Sequence, residues 1–84
     1  MPGVVREDDE DSALDVPIEY SSKTKIDGKF IYRHGDKDTS LHTVSAGIGL
    51  TKNVYIEGKP VVVVGDIDDA GNIKNNGSDT VFIG

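Results

Sequence analysis

Asn53-Val54-Tyr55-Ile56-Glu57-Gly58-Lys59-Pro60-Val61-Val62-Val63-Val64-Gly65-Asp66 holds two short runs rich in β-branched residues, broken by Glu-Gly-Lys-Pro. That pattern predicts a tight hairpin. Gly58 supplies positive φ where the chain reverses, and Pro60 fits only where no ladder donor is needed. Gly65-Asp66 ends the second strand.

The same unit occurs earlier. Thr24-Lys25-Ile26-Asp27-Gly28-Lys29-Phe30-Ile31-Tyr32-Arg33-His34-Gly35-Asp36 aligns with Val54 to Asp66 at a constant offset of 30, without a gap. Val81-Phe82-Ile83-Gly84 matches Val54-Tyr55-Ile56-Glu57 at an offset of 27, and the sequence ends there. Continued past the C-terminus, that offset places Met1 on Gly58 and Gly3-Val4-Val5-Arg6-Glu7-Asp8-Asp9 on Pro60 to Asp66. Asp9, Asp36 and Asp66 are then spaced by 27, 30 and, through the joined ends, 27 residues. The chain reads as three near-equal repeats on a circle, cut in the turn of one hairpin.

An 84-residue chain makes one domain, residues 1–84, with a thin core. There is no cysteine, so no disulfide strengthens it and no redox compartment is implied. A net charge of −6 with a pI near 4.6 argues against nucleic acid or an anionic membrane as a standing partner. No apolar run reaches transmembrane length, and Met1-Pro2-Gly3-Val4-Val5-Arg6-Glu7-Asp8-Asp9 is not a signal peptide. The expectation is a protein made in the cytoplasm and carried out, if at all, by other machinery.

Alternation along the first strands points Val54 with Ile56, and Val81 with Ile83, to one side, with Thr24 and Ile26 equivalent to them. Tyr55, Phe82 and Lys25 point the other way. Ile26, Ile56 and Ile83 share a repeat position and are expected to form a core layer around a pseudo-threefold axis. The returning strands place Val5, Tyr32 and Val62 on one face. Val4, Ile31 and Val61 take the opposite face with Arg6 and Arg33, which makes that face apolar but not wholly buried. Between the hairpins, Glu7-Asp8-Asp9-Glu10-Asp11 reads as a solvated loop, and the loops at 37–51 and 67–79 carry no sustained 3.6-residue apolar period. Little or no helix is expected.

The motifs that signal chemistry are incomplete. Gly47-x-Gly49 has Lys52 at the third glycine position of a dinucleotide loop and leads into a strand. Asp66 to Gly77 half-resembles an EF-hand, with Ala70 and Gly77 where two ligand oxygens are required. Asp38, Ser40 and His42 are adjacent in one loop, without the third group and oxyanion hole of a triad. His34 reads as a semi-exposed strand residue. No catalytic residue is expected, no small-molecule substrate, and no enzyme.

These residues resemble the PAAR-repeat family, the spike-tip proteins of contractile bacteriophage tails and type VI secretion systems. Its signature runs roughly Gly-Ser-x-x-Val-x-Ile-x-Gly-x-Pro-Ala-Ala-Arg-x-Gly-Asp. Val54 to Pro60 and Gly65-Asp66 match it, Gly77-Ser78-Asp79-Thr80-Val81-Phe82-Ile83-Gly84 matches its terminal segment, and Met1 to Arg6 looks like its start. Arg6 and Arg33 occupy the signature Arg position. Val61-Val62-Val63 replaces Ala-Ala-Arg, and Asp8 stands at a signature Gly. The resemblance spans the whole chain.

The resemblance implies an all-β fold: a small cone of three pseudo-threefold β-hairpin repeats, the third hairpin completed by the two chain termini. It implies a structural protein of the virion baseplate tip, or of an extracellular injection apparatus. This cap would sit one copy per trimer on a trimeric central spike and touch the target membrane transiently during puncture. Val4, Ile31 and Val61 are the expected spike-facing residues. Relatives hold a metal near the apex with His and Cys from three loops. Here Ala13 and Ala70 stand at two of those places and only His42 remains, so no cofactor is expected. Zn or Fe would require His42 to recruit other ligands, such as Asp15 and Asp69. Instead, Ala13, Leu14, Leu41 and Ala70 are expected to pack an apolar apex. The alternative reading is a free calcium- or glycan-binding β module that uses the acidic loops.

Overall fold

Asp27-Gly28 and Glu57-Gly58 take positive φ at both residues, with values of 56° and 78° and then 54° and 81°. That is the two-residue reversal whose twist suits paired strands. It joins β1 (Lys25–Ile26) to β2 (Lys29–Phe30), and β4 (Tyr55–Ile56) to β5 (Lys59–Pro60), each pair antiparallel. Between and after them, β3 (Val44–Ser45) pairs antiparallel with β6 (Ile67–Asp68). The structure, a computed structural model, describes residues 2–47 and 52–83. Among these residues there is no helix, and the fold is all-β with very short antiparallel strands. Gly49, Met1 and Gly84 lie outside the described residues.

What joins the hairpins is a cycle of backbone hydrogen bonds. The Val5 amide donates to Val62 O (2.9 Å), Val62 to Tyr32 O (3.2 Å), and Tyr32 to Val5 O (3.0 Å). Flanking this ring, Arg6 pairs with Ile31, Arg33 with Val61, and Val63 with Val4, each an antiparallel bridge. The offsets are those of the sequence repeat. Residues that alternate in a strand therefore divide into two buried layers. Val5, Tyr32 and Val62 pack with Val44 and Ala46 on one side, while Val4, Ile31, Val61 and Val63 form the other.

Two expectations change here. Val4, Ile31 and Val61 are only 1–2 % exposed, although Arg6 and Arg33 flank them. Ile26, Ile56 and Ile83 do not form the core; with Val54 they are half-buried and cover that second layer. The arginines lie flat because each has carboxylates to bind. Arg6 Nε sits 3.0 Å from Asp9 Oδ2, and Arg33 Nε 2.8 Å from Asp36 Oδ2. Each also reaches a turn acid of a neighbouring hairpin, Arg6 to Asp27 at 2.9 Å and Arg33 to Glu57 at 3.6 Å. The third repeat has Val63 at this place.

The acidic run is not simply solvated. Asp9, Asp36 and Asp66 are buried, and each closes a turn by accepting the amide three residues back, from Arg6, Arg33 and Val63. The residue before each has positive φ: Asp8, Gly35 and Gly65. Aspartate tolerates that conformation better than most side chains, which accounts for Asp8 at a glycine place.

Candidate functional site

Two residues beyond each turn, Asp11, Asp38 and Asp68 begin three matching loops. Asp11 Oδ1 accepts the amides of Ala13 (2.8 Å) and Asp15 (3.0 Å). Asp38 Oδ1 accepts those of Ser40 and His42, and Asp68 Oδ1 those of Ala70 and Asn72. In each loop the residue three places on takes positive φ: Leu14, Leu41 and Gly71. One oxygen of each carboxylate is thus spent on its own loop. The remaining oxygens converge, all within 4.8 Å of one another.

Between them lies the Lys74 ammonium. Its Nζ is 2.8 Å from Asp11 Oδ2, 3.3 Å from Asp38 Oδ2 and 3.8 Å from Asp68 Oδ2, with the lysine side chain only 3 % exposed. The Tyr32 ring forms another wall, its centroid 5.6 Å from Nζ. The Tyr32 hydroxyl donates to Asp36 O, and burial among the four aspartates raises its pKa far above the usual range. Burial works against the Lys74 charge, but the bonds to Asp11 and Asp38 outweigh it and raise its pKa. Burial likewise opposes ionisation of Asp11 and Asp68, yet Lys74 and the loop amides hold both pKa values below the ordinary one. Removing one member of such a buried set costs about 3–5 kcal/mol, because it strands the other charges.

The apolar apex expected from Ala13, Leu14, Leu41 and Ala70 is therefore not built. All four are exposed, Leu14 by 74 % and Leu41 by 65 %, because the aspartates turn the loop backbone inward and the loop side chains outward. His42 Nδ1 is buried without a hydrogen-bond partner among the described residues, 3.5 Å from Asp68 Oδ2 and 4.0 Å from Asp38 Oδ1. Asp15, Asp38 and His42 form one group of potential metal ligands; His42, Asp68 and Asp69 form another. One imidazole among carboxylates does not supply the nitrogen and sulfur set of a tetrahedral zinc site. The oxygens are also engaged elsewhere: Asp15 Oδ1 accepts from Thr39 and Ser40, and Asp69 Oδ2 from Thr43. Because the Ser40 hydroxyl donates to Asp15, it is not poised on His42 as a nucleophile. His34 Nδ1 accepts the Ala46 amide, and His34 is exposed.

No protein-family model matches this chain, and no curated protein matches it either.

Val4, Ile31 and Val61 lie together in the second buried layer, beneath Ile26, Val54, Ile56 and Ile83. The structure brings the three together but covers them. Tyr55, Val81 and Phe82 are the exposed apolar residues beside that cover in sequence. No cavity opens among the described residues. What the sequence reading missed is Lys74. Carrying the repeat register eight residues past Asp9, Asp36 and Asp66 puts Lys74 level with Pro17 and Val44. Both of those are apolar, so a lysine at the same repeat place was the available signal.

Proposed function

We propose that this chain is a structural tip that caps the trimeric β-helical central spike of a contractile phage tail or phage-like injection machine. In this reading it is a cone of three pseudo-threefold hairpins, the third made by the two chain ends, and it works without catalysis. The observation that carries the reading is the closed hydrogen-bond cycle through Val5, Tyr32 and Val62. A single chain organised by such a cycle offers three near-equivalent contacts to the three chains of a spike. A trimeric spike ends in open strand edges and apolar residues, which need a cover.

The cap's contact layer is then Ile26, Val54, Ile56 and Ile83, half-buried, with Val4, Ile31 and Val61 acting as the floor beneath it. Docking would complete the burial of that layer and stabilise a small domain by mass action. The copy number tests this reading. Mixed with a trimeric central spike protein and weighed by native mass spectrometry, the chain is expected at one copy per trimer. Three copies per trimer, or no complex, would refute it.

A further inference from the structure

We propose that Asp11, Asp38 and Asp68 form a cation site of hard-oxygen chemistry whose occupant is the chain's own Lys74 ammonium, standing where a metal ion would otherwise pin the three loops. Three carboxylates with fully buried side chains this close need a counter-charge to stay ionised. Their loop-facing oxygens are saturated by backbone amides, so the convergent oxygens face a cation, with Asp68 Oδ2 also accepting the Asn72 side-chain amide at 3.2 Å. One cation is present, in contact with Asp11 and Asp38 and within 3.8 Å of Asp68.

The repeat register makes the lysine specific rather than incidental. The antiparallel bridges Asp11–Lys74 and Asp38–Pro17 and the β3–β6 pair Asp68–Val44 are equivalent around the cycle. Two of the three inward positions carry an apolar side chain, and one carries the ammonium. A single occupant is what one central site needs. This arrangement departs from the His and Cys set that the family resemblance implies, and it stands whether or not the chain caps a spike.

The site becomes a divalent-cation site only when the ammonium is removed. Lys74→Ala leaves three carboxylate oxygens and space for water, a set suited to calcium or manganese. Wild-type protein is expected to melt at the same temperature in EDTA and in excess calcium or manganese chloride. Lys74→Ala should melt far lower in EDTA and recover on the order of 10 °C when either ion reaches about a hundredfold excess over its Kd. A wild-type melting temperature that climbs with the ion, or an Ala variant that ignores it, would overturn the proposal.

A second pair of variants covers an Ala variant that does not fold. Lys74→Met keeps the packing but strands three charges. Adding Asp11→Asn removes one of them and supplies an amide donor toward Asp38. The double variant should therefore melt above Lys74→Met alone; a double variant no better than the single one would show that Lys74 serves as packing, and the proposal would fall.

Discussion

The Val4 amide donates to the Val81 carbonyl at 3.1 Å, tying the two ends of the chain together. The same bond occurs inside each continuous hairpin, from Ile31 to Thr24 at 3.2 Å and from Val61 to Val54 at 3.0 Å. Ile83 adds a bond to Pro2 O at 2.9 Å, and Gly3 bridges Phe82. The terminal segments thus pair antiparallel, with the same backbone bond that closes the two continuous hairpins.

This pairing makes Gly3 intolerant of a side chain. A Cβ there would sit 2.2 Å from Ser78 O, and one at Gly77 would meet Val64 Cγ2 at 2.8 Å. Backbone cannot move aside as a flexible side chain can. Gly3→Ala is expected to lose about 2 kcal/mol or more in urea denaturation, with Gly77→Ala close behind. Gly28→Ala meets nothing within 4 Å and should cost about 1 kcal/mol, the strain of its positive φ alone.

Leu14 and Leu41 hold φ of 64° and 62° while largely exposed, and the third loop has Gly71 in the same conformation. Bulky residues are strained there. Leu14→Gly and Leu41→Gly should each stabilise by about 0.5–1 kcal/mol, and Gly71→Leu should destabilise by about 1 kcal/mol. Leu14→Ala separates the causes in thermal melts: it removes the apolar surface but keeps the strain, so stability should stay flat.

Asp66 differs from Asp9 and Asp36 because Val63 replaces the arginine. Burial raises its pKa, opposed by the amides of Val63 and Gly47 and by His34. A carboxyl with a raised folded pKa takes up its proton first in the native state. Its contribution to stability therefore grows as pH falls from neutral through the folded value and is complete below the unfolded value, near 3.8. Asp11 and Asp68 act oppositely: both are lowered, and their contribution is lost as pH falls below 3.8 through their folded values. Carbon-detected NMR titration should show Asp66 titrating above the usual aspartate range and the other two below it. Denaturation across pH 3 to 7 should show a gain on mild acidification followed by a loss.

The hairpins were legible because Asp-Gly and Glu-Gly between β-branched runs admit few backbone solutions. The two faces of the returning strands followed from alternation. Depth did not: Val4, Ile31 and Val61 share their face with arginines, and only the inward ion pairs to Asp9 and Asp36 let that face close. The loops were hidden for a related reason. Aspartate in an acidic run reads as solvent-facing, yet Asp11, Asp38 and Asp68 are caps whose spare oxygens meet across the repeats. Leu14, Leu41 and Lys74 then exchange the places that hydropathy alone would assign them.

If the chain is circular in structure, the position of its ends is arbitrary. A permutant that joins Ile83 to Pro2 through a two-residue turn and opens the chain between Asp27 and Gly28 should therefore fold. Aligned on Glu57-Gly58, the linking pair must take positive φ at both places, so Asn-Gly is the suitable joint, whereas Gly84-Met1 would set a methionine in strain. The new cut leaves β1 and β2 as separate ends, held as Pro2–Val4 and Val81–Ile83 are: by the Ile31 amide on Thr24 O and the β1–β2 pair. Arg6 to Asp27 and Ser78 to Asp27 would now anchor a terminus rather than a turn. Fraying there should lower the melting temperature by only a few degrees, since each kcal/mol is worth about 4–8 °C at this size. A permutant that stays unfolded, while the same Asn-Gly joint without the new cut gives a folded cyclic protein, would show that the hairpin at 25–30 cannot be divided. The three repeats would then be alike in hydrogen bonding but not in stability.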